Sequence, residues 1–321
     1  MATPIVSQYV RSSAPSPVQS SEHLPSPHAS VYEIVTEQVI KQLESGVAPW
    51  RKPWRTEMPC NLISGKAYRG LNTFLLGSQG YASRYWLTFN QANKIGGHIK
   101  KGEHSSLVIF WNIGEEKLVR QSDGTEKKQK PFLLRYYRVF NLTQTEGIAE
   151  KLGLGNASPR VPSIEGCEAI VAGMPNPPKM EQSNGAWYRP STDTVGIPAR
   201  ALFTSAEEYY STLFHELTHS TGHASRIGRE GIEILNTFGS ESYSKEELVA
   251  EMGAAMLCGV TGIAPATLQN SAAYLKTWIE RLKSDSRLLV SAASAAQKAA
   301  DYIRGESAKD SPDCEGERHA N

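Results

Sequence analysis

Two histidines and a glutamate stand close together in the segment Phe214-His215-Glu216-Leu217-Thr218-His219, which fits the pattern His-Glu-x-x-His. Since residues four apart lie on the same face of an α-helix, His215 and His219 can direct two imidazoles at one metal ion. Glu216 stands beside them, where a general base would activate a metal-bound water. This is the arrangement of zinc metallopeptidases. The motif therefore predicts metal-assisted hydrolysis, although a bare match is only moderately specific.

A hydrolytic zinc site usually takes three protein ligands, so the chain must supply a third. The longer pattern His-Glu-x-x-His-x-x-Gly-x-x-His is incomplete, because Gly222 is present but Ser225 occupies the position of the third histidine. His223 follows the glycine that should end the helix, and we expect it to face solvent. The third ligand is therefore expected on another element.

The next predicted helix carries two carboxylates, Glu247 and Glu251, four residues apart and hence on one face. Both could be solvated surface charges, but the sequence around Glu251 is apolar, and a buried acid needs a partner. The pattern resembles the zinc peptidases in which a second helix donates a glutamate ligand. That resemblance implies Glu247 as the ligand and Glu251 as the carboxylate behind a ligand histidine, with the reverse assignment open. We expect Glu246 to be solvated.

Two helices must position these groups. Residues 205–222 form the first, because Thr204-Ser205 can cap it and Glu207 and Glu208 suit the first turn. The second begins near Ser244 and runs to about Gly259. A hairpin over 186–197 precedes them, and its strand 193–197 could present an edge to an extended peptide. Tyr209 and Tyr243 are weak candidates for oxyanion stabilisation, since core packing suits both.

The first half of the chain is basic, and its cations are interleaved with aromatic residues. Residues 31–147 contain seventeen Lys and Arg against ten Asp and Glu, whereas 148–321 contain sixteen against twenty-two. Such a surface can bind single-stranded DNA, because aromatic faces stack on bases and cations contact phosphates. The alternative is that the aromatic residues anchor the core and the arginines lie on the wet side of a strand. The residues predicted to bind DNA are Trp50, Arg51, Lys52, Trp54, Arg55, Tyr68, Arg69, Lys100, Lys101, Arg135, Tyr137 and Arg138.

Composition divides the chain into two α+β domains. Residues 1–29 are rich in Ser and Pro, and 305–321 are polar, so both predict disordered tails. We expect a first domain over 30–150, with few helices and a small antiparallel sheet, a linker over 151–163 and a second domain over 164–304. The four cysteines are scattered, no apolar run could span a bilayer, and the N-terminus lacks the apolar core of a signal peptide. These features predict a cytoplasmic protein.

Over about residues 30–300 the chain resembles the ArdC-type antirestriction proteins of conjugative plasmids and related mobile elements. The shared features of the first domain are Pro49-Trp50, Pro53-Trp54, Tyr68-Arg69-Gly70, Trp86-Leu87-Thr88, Lys101-Gly102-Glu103 and Tyr136-Tyr137-Arg138-Val139-Phe140-Asn141. Those of the second are Ala206-Glu207-Glu208-Tyr209-Tyr210, the His215 motif and Glu246-Glu247-Leu248-Val249-Ala250-Glu251. The resemblance implies an N-terminal domain that binds single-stranded DNA and a C-terminal zincin-like metallopeptidase domain.

The resemblance further implies a bound divalent cation, Zn²⁺ or another such as Mn²⁺, and protection of incoming DNA from host restriction. Three functions stay open at this point. The chain could coat single-stranded DNA with a zincin domain that is only structural, or act as a zinc protease directed to DNA-associated proteins. It could also block a restriction enzyme without DNA or proteolysis, but the basic first domain counts against this. The expected partners are single-stranded DNA and a host restriction enzyme or another protein substrate, and no membrane.

Overall fold

A computed structural model describes residues 29–51, 57–113, 117–120, 126–129, 132–154, 162–229, 232, 241–265 and 272–306. Most of both predicted tails and of the predicted linker lie outside these ranges. Lys52, Trp54 and Arg55, which the sequence predicted to contact DNA, also lie outside them.

Helices form where apolar residues recur at helical spacing. Ser30 caps the first helix in a capping box, because its hydroxyl accepts from the Glu33 N–H and the Glu33 carboxylate accepts from the Ser30 N–H. No described helix is both long and apolar enough to cross a membrane. The helices of the described residues are α1 (Val31–Glu44), α2 (Leu71–Gly77), α3 (Phe89–Lys94), α4 (Ile164–Gly173), α5 (Ala206–Ser220), α6 (Glu241–Thr261), α7 (Ala272–Ser284) and α8 (Leu288–Ile303).

The strands of the described part of the chain fall into four small sheets. They are β1 (Cys60–Asn61), β2 (Tyr85–Leu87), β3 (His98–Ile99), β4 (Ser106–Ile113), β5 (Lys117–Arg120), β6 (Glu126–Gln129), β7 (Phe132–Asn141), β8 (Thr145–Glu146), β9 (Lys179–Gln182), β10 (Trp187–Arg189) and β11 (Thr194–Ile197). The largest sheet has the order β1-β2-β7-β4, and its long pair β4–β7 is antiparallel. A three-stranded sheet has the order β10-β11-β9. Two-stranded sheets join β3 to β8 and β5 to β6.

The architecture confirms the predicted α+β class, with three local differences. The main sheet of the first half is mixed, because β1 pairs with β2 in parallel. Strand β9 was missed: its residues Lys179–Gln182 are all exposed and lack the apolar alternation of a half-buried strand. Helix α6 begins at Glu241, before the predicted cap at Ser244.

One hydrophobic core joins the two halves of the chain. Val35 and Val39 of α1 and Trp50 belong to the same buried cluster as Leu248 of α6 and Ala292 of α8. A hydrogen bond also joins α1 to the residues just before α8, since Thr36 Oγ1 donates to the carbonyl of Ser286. The division into two domains at 151–163 stays a prediction, since the first helix packs into the core of the second half.

Helices α5 and α6 approach each other closely at a glycine. A Cβ added at Gly253 would lie 2.6 Å from Thr218 Cγ2, inside van der Waals contact. Thr218 is fully buried and holds its own orientation by donating its hydroxyl to the carbonyl of Phe214. The close approach brings functional groups on α5 and α6 within reach of one another.

Candidate metal centre

Helix α5 presents both motif histidines on its buried face. It begins after Ser205, whose hydroxyl accepts from the Glu208 N–H. The acidic side chains of Glu207 and Glu208 in the first turn interact favourably with the positive end of the helix dipole. His215 and His219 are 9% and 5% exposed. The predicted cap is thus confirmed, and the helix ends at Ser220, two residues earlier than predicted.

Three candidate ligands meet where α5 and α6 pack together. The Nε2 atoms of His215 and His219 are 3.1 Å apart. Glu247 Oε2 lies 3.6 Å from His215 Nε2, and Glu247 Oε1 lies 3.5 Å from His219 Nε2. Within the described residues these three form a group whose possible ligand atoms lie within 4.8 Å of one another. The structure therefore brings together the motif histidines and the glutamate that the zinc-peptidase resemblance favoured.

This donor set fits a single divalent cation. Two nitrogens bound to zinc at about 2.0–2.1 Å and a tetrahedral angle lie roughly 3.3 Å apart, close to the observed separation. Two histidines and a glutamate also form an established catalytic zinc set that leaves a fourth position for water or substrate. The three residues line a cavity of about 560 Å³, and Glu216 lines the same cavity.

A second carboxylate, Glu246, supports His219 from behind. Glu246 is 5% exposed, and its Oε1 lies 3.3 Å from His219 Nδ1. Arg229 donates to the same carboxylate through Nε at 3.0 Å and through Nη2. The expectation that Glu246 is solvated is wrong, because Arg229 and His219 give the buried charge two partners. A carboxylate at this place fixes the tautomer and ring orientation of a ligand histidine.

The two buried carboxylates control the protonation of His219. Burial by itself would lower the pKa of His219, but contacts with Glu246 and Glu247 raise that pKa to about 10. Although burial opposes the change, the two histidines lower the pKa of Glu247, and His219 and Arg229 lower the pKa of Glu246. Buried carboxylates thus hold a proton on His219, and a divalent cation would take that proton's place.

The loop after α5 brings Arg229 to the site. A Cβ at Gly222 would lie 2.9 Å from Ile232 Cδ1 and 3.1 Å from Arg229 Nη2, so the motif glycine makes room for both side chains. His223 Nδ1 lies 2.8 Å from Ser225 Oγ beyond the end of the helix, and His223 is not a member of the ligand cluster.

Glu251 has a different role from the predicted one. Its Oε2 accepts from Trp50 Nε1 at 2.8 Å and from Arg51 Nε at 3.2 Å, and its Oε1 accepts from Arg51 Nη2 at 2.5 Å. The sequence placed this carboxylate behind a ligand histidine, where the structure has Glu246. Glu251 instead ties the N-terminal segment to α6, one helical turn beyond Glu247.

Several residues predicted to bind DNA lie inside the protein. Trp50 is 1% exposed, Tyr68 is 4% exposed, and the Arg51 side chain is 8% exposed. These three residues are therefore not available to DNA, because Trp50 and Tyr68 are buried in the protein and the Arg51 guanidinium pairs with Glu251. Arg69 forms an ion pair with Asp301 of α8.

The remaining predicted DNA contacts lie at the surface. Arg135, Tyr137 and Arg138 are exposed on β7, and the Tyr137 ring stands edge-on against Phe110 of β4, with 5.5 Å between the ring centroids. Lys100 and Lys101 are exposed in the turn after β3. Lys100 Nζ donates to the carbonyl of Thr143, which follows β7, so this turn lies close to the end of the strand.

The strand that borders the cavity is β10. The prediction that strand 193–197 offers a free edge is wrong, because β11 lies between β10 and β9. Trp187 and Tyr188 of β10 line the cavity. Tyr209 packs edge-on against Phe203 and Tyr210, which agrees with a core role. The side chain of Tyr243 lies outside the described part of α6.

Sequence reasoning missed Glu246 and Arg229. Three apolar residues follow Glu246 at helical spacing, three, four and seven residues later: Val249, Ala250 and Gly253. This spacing could have placed Glu246 on the buried face of α6. Arg229 stands in a loop with no periodic pattern around it, so no comparable signal existed.

Comparison with known proteins identifies both halves of the chain. Residues 29–140 match the N-terminal domain of anti-restriction factor ArdC, and residues 167–295 match a zincin-like metallopeptidase family. The metal-free crystal structure of the antirestriction protein ArdC from plasmid R388 is 36% identical with a TM-score of 0.68, covering 85% of this chain and 96% of that one. Its Mn(II)-bound structure is 35% identical with a TM-score of 0.67, covering 86% and 98%.

Two kinds of curated relatives also match. An uncharacterised protein, y4eC, from Sinorhizobium fredii is 32% identical over 299 residues, which cover 89% of this chain and 95% of y4eC. Two DNA primases TraC from Escherichia coli are each 35% identical and cover 85% and 86% of this chain. The matched regions span only 27% and 20% of those primases' own lengths.

The fold and the matched regions define the class as a zincin-like metallopeptidase domain that follows an ArdC-type N-terminal domain. The chain belongs to the ArdC family of antirestriction proteins. The resemblance that the sequence motifs indicated is thereby confirmed.

Replacing Glu246 by Gln tests the carboxylate behind His219. The substitution keeps the size of the side chain but removes the charge that orients and polarises the imidazole, so Mn²⁺ affinity should fall by roughly 10- to 100-fold. Isothermal titration calorimetry with Mn²⁺ measures this. Glu280→Gln on the exposed face of α7 is the matched control and should bind as the wild type does. Equal affinities for the two variants would contradict the role given to Glu246.

Proposed function

We propose that this chain is an antirestriction protein of a mobile element, which binds single-stranded DNA and uses a metal-dependent peptidase domain to protect incoming DNA. One observation carries the proposal. The cluster of His215, His219 and Glu247 stands in a cavity with Glu216, in the same chain as an ArdC-type N-terminal half with an exposed strand of arginine and tyrosine.

His215, His219 and Glu247 would hold a divalent cation, Zn²⁺ or Mn²⁺. The donor set suits zinc, and the related ArdC of plasmid R388 has been crystallised with Mn(II). When bound, the cation supplies Lewis acidity that polarises a scissile carbonyl and lowers the pKa of water. Glu246 and Arg229 keep the His219 ring in the orientation that ligation needs.

Glu216 acts as the general base of the proposed reaction. Glu216 is 8% exposed and lines the cavity beside the ligand cluster. Because Glu216 directly follows His215, its side chain lies on the adjacent face of α5 and is not one of the three proposed ligands. From there it takes a proton from the attacking water and passes it to the leaving amine. Strand β10, which borders the cavity, would align an extended peptide by main-chain hydrogen bonds.

The DNA-binding surface is proposed on β7 and the turn after β3. Arg135 and Tyr137 share one face of β7, where Arg135 can contact a phosphate and the Tyr137 ring, 40% exposed, can stack on a base. Arg138 supplies a second phosphate contact from the opposite face of the strand. Lys100 and Lys101 extend the positive charge to the end of the strand.

Three of the cysteines, Cys60, Cys167 and Cys258, are buried free thiols, which supports the expected reducing compartment.

Replacing Glu216 by Gln separates proteolysis from DNA binding. The variant loses the base but keeps every proposed ligand, so it should retain metal and single-stranded DNA affinity and lose protection of a transferred plasmid against host restriction. Plasmid transfer into a restricting host, scored against a non-restricting host, is the measurement. Glu165→Gln, exposed on α4, should protect as the wild type does. Full protection by Glu216→Gln would assign antirestriction to DNA coating and leave the zincin domain a structural role.

Salt dependence tests the DNA surface. For single-stranded DNA, the slope of log affinity against log salt concentration is about −0.7 per phosphate contact, so Arg135→Ala combined with Arg138→Ala should make the slope shallower by about 1.4. Tyr137→Ala should weaken binding by about 1–3 kcal/mol through lost stacking. Fluorescence anisotropy with labelled oligonucleotides at several salt concentrations reports both. Lys179→Ala, on exposed β9, is the control. An unchanged slope in the double variant would place the DNA elsewhere.

A further inference from the structure

The cavity extends away from the ligand cluster along α5 and α6. His219 contacts Glu246, whereas Ser211, two turns before His219, hydrogen-bonds with Cys258, so the two helices run antiparallel. Ala254 and Ala255 line the cavity with Ser211. These alanines stand seven and eight residues after Glu247, which places them roughly 10–12 Å along the axis at 1.5 Å per residue. The far end of the cavity is therefore floored by small side chains.

Two tryptophans also line the cavity. Trp50 is buried and held by Glu251, and Trp187 stands on β10. Trp187 is fixed from several directions: its Nε1 donates to Ser183 Oγ at 2.8 Å, and the Arg189 guanidinium lies 4.2 Å from its ring centroid. A Cβ at Gly196 on the paired strand would lie 2.3 Å from Trp187 Cε2, so only glycine leaves room for the indole there. The Trp187 indole therefore forms a rigid wall of the cavity.

The charges in this part of the cavity compensate each other. Arg51 and Glu251 both line it, but Glu251 accepts hydrogen bonds on both oxygens from Arg51 and on one from Trp50. The Glu251 carboxylate is therefore a poor counter-ion for an ammonium or guanidinium group of a substrate. Binding such a group would break the buried ion pair between Glu251 and Arg51. The walls and floor favour an apolar occupant.

We propose that this end of the cavity is a subsite for a large aromatic or aliphatic side chain of the peptide substrate, and that Trp187 determines its specificity. The proposal rests on the peptidase function proposed above and names the substrate class of that site. The cavity of about 560 Å³ is of the size that binds small ligands, generally about 300–1,000 Å³. Small residues at the floor leave room for the occupant, and the indole supplies its flat contact surface.

Peptide-like hydroxamates test the subsite without requiring turnover. The full chain loaded with Mn²⁺ would be titrated with the hydroxamates of Nα-acetyl phenylalanine, alanine and lysine. The phenylalanine compound should bind roughly 10- to 100-fold more tightly than the alanine compound, because it buries a phenyl ring, and the lysine compound should not be preferred. The phenylalanine-to-alanine ratio should fall towards one in Ala254→Leu, which fills the floor, and in Trp187→Ala, which removes the wall. Leu202→Ala, at a side chain that is 76% exposed, should keep the wild-type ratio.

The possible failures are distinguishable. Equal affinity for all three compounds, or preference for lysine, would overturn the subsite while the metal site stands. A wild-type ratio retained in folded Trp187→Ala would overturn the role of Trp187, and circular dichroism of both variants establishes that they are folded. Binding of no hydroxamate by the metal-loaded wild type would overturn the peptidase site and the subsite together.

Discussion

The architecture of the second half depends on burying acidic groups between two helices. Glu246 and Glu247 lie at the junction of α5 and α6 and are stable there only because His215, His219 and Arg229 surround them. Carboxylates taken out of water need nearby positive charge, and removal of one partner of a buried pair is strongly destabilising. A divalent cation held by His215, His219 and Glu247 would satisfy the same need as the proton on His219. The close approach at Gly253 and the turn at Gly222 both serve this assembly.

The N-terminal half packs directly against the helices that carry these acidic groups. Trp50 and Arg51 bind Glu251 on the helix that carries Glu247, and Arg69 pairs with Asp301 of α8. Helix α1 shares the core of the metallopeptidase half. Two residues that the sequence suggested for DNA binding, Trp50 and Arg51, therefore line the proposed catalytic cavity. The proposed DNA contacts are therefore limited to the exposed residues of β7, with Arg135 and Tyr137 on one face and Arg138 on the other, and to the neighbouring basic turn.

Local patterns predicted the two helices of the site and the histidine pair, because helix spacing and caps are short-range properties of the chain. Helix α5 with its cap at Ser205, and the hairpin of β10 and β11, follow directly from them. The partners of Glu246 and Glu251 did not follow, because only tertiary packing brings Arg229 and Arg51 to these two glutamates of α6. Burial of Trp50 and Tyr68 has the same origin: an aromatic residue suits a DNA surface and a core equally well in sequence.

The proposed binding of one divalent cation by His215, His219 and Glu247 can be observed in a crystal of the full chain grown with Mn²⁺ and measured for anomalous scattering. We expect a single strong peak in the cavity, about 2.0–2.3 Å from His215 Nε2, His219 Nε2 and a Glu247 oxygen, and loss of that peak in His215→Ala but not in His223→Ala. A peak coordinated by Glu246 or Glu251 in place of Glu247, or no peak at these histidines, would show that the ligand set is wrong.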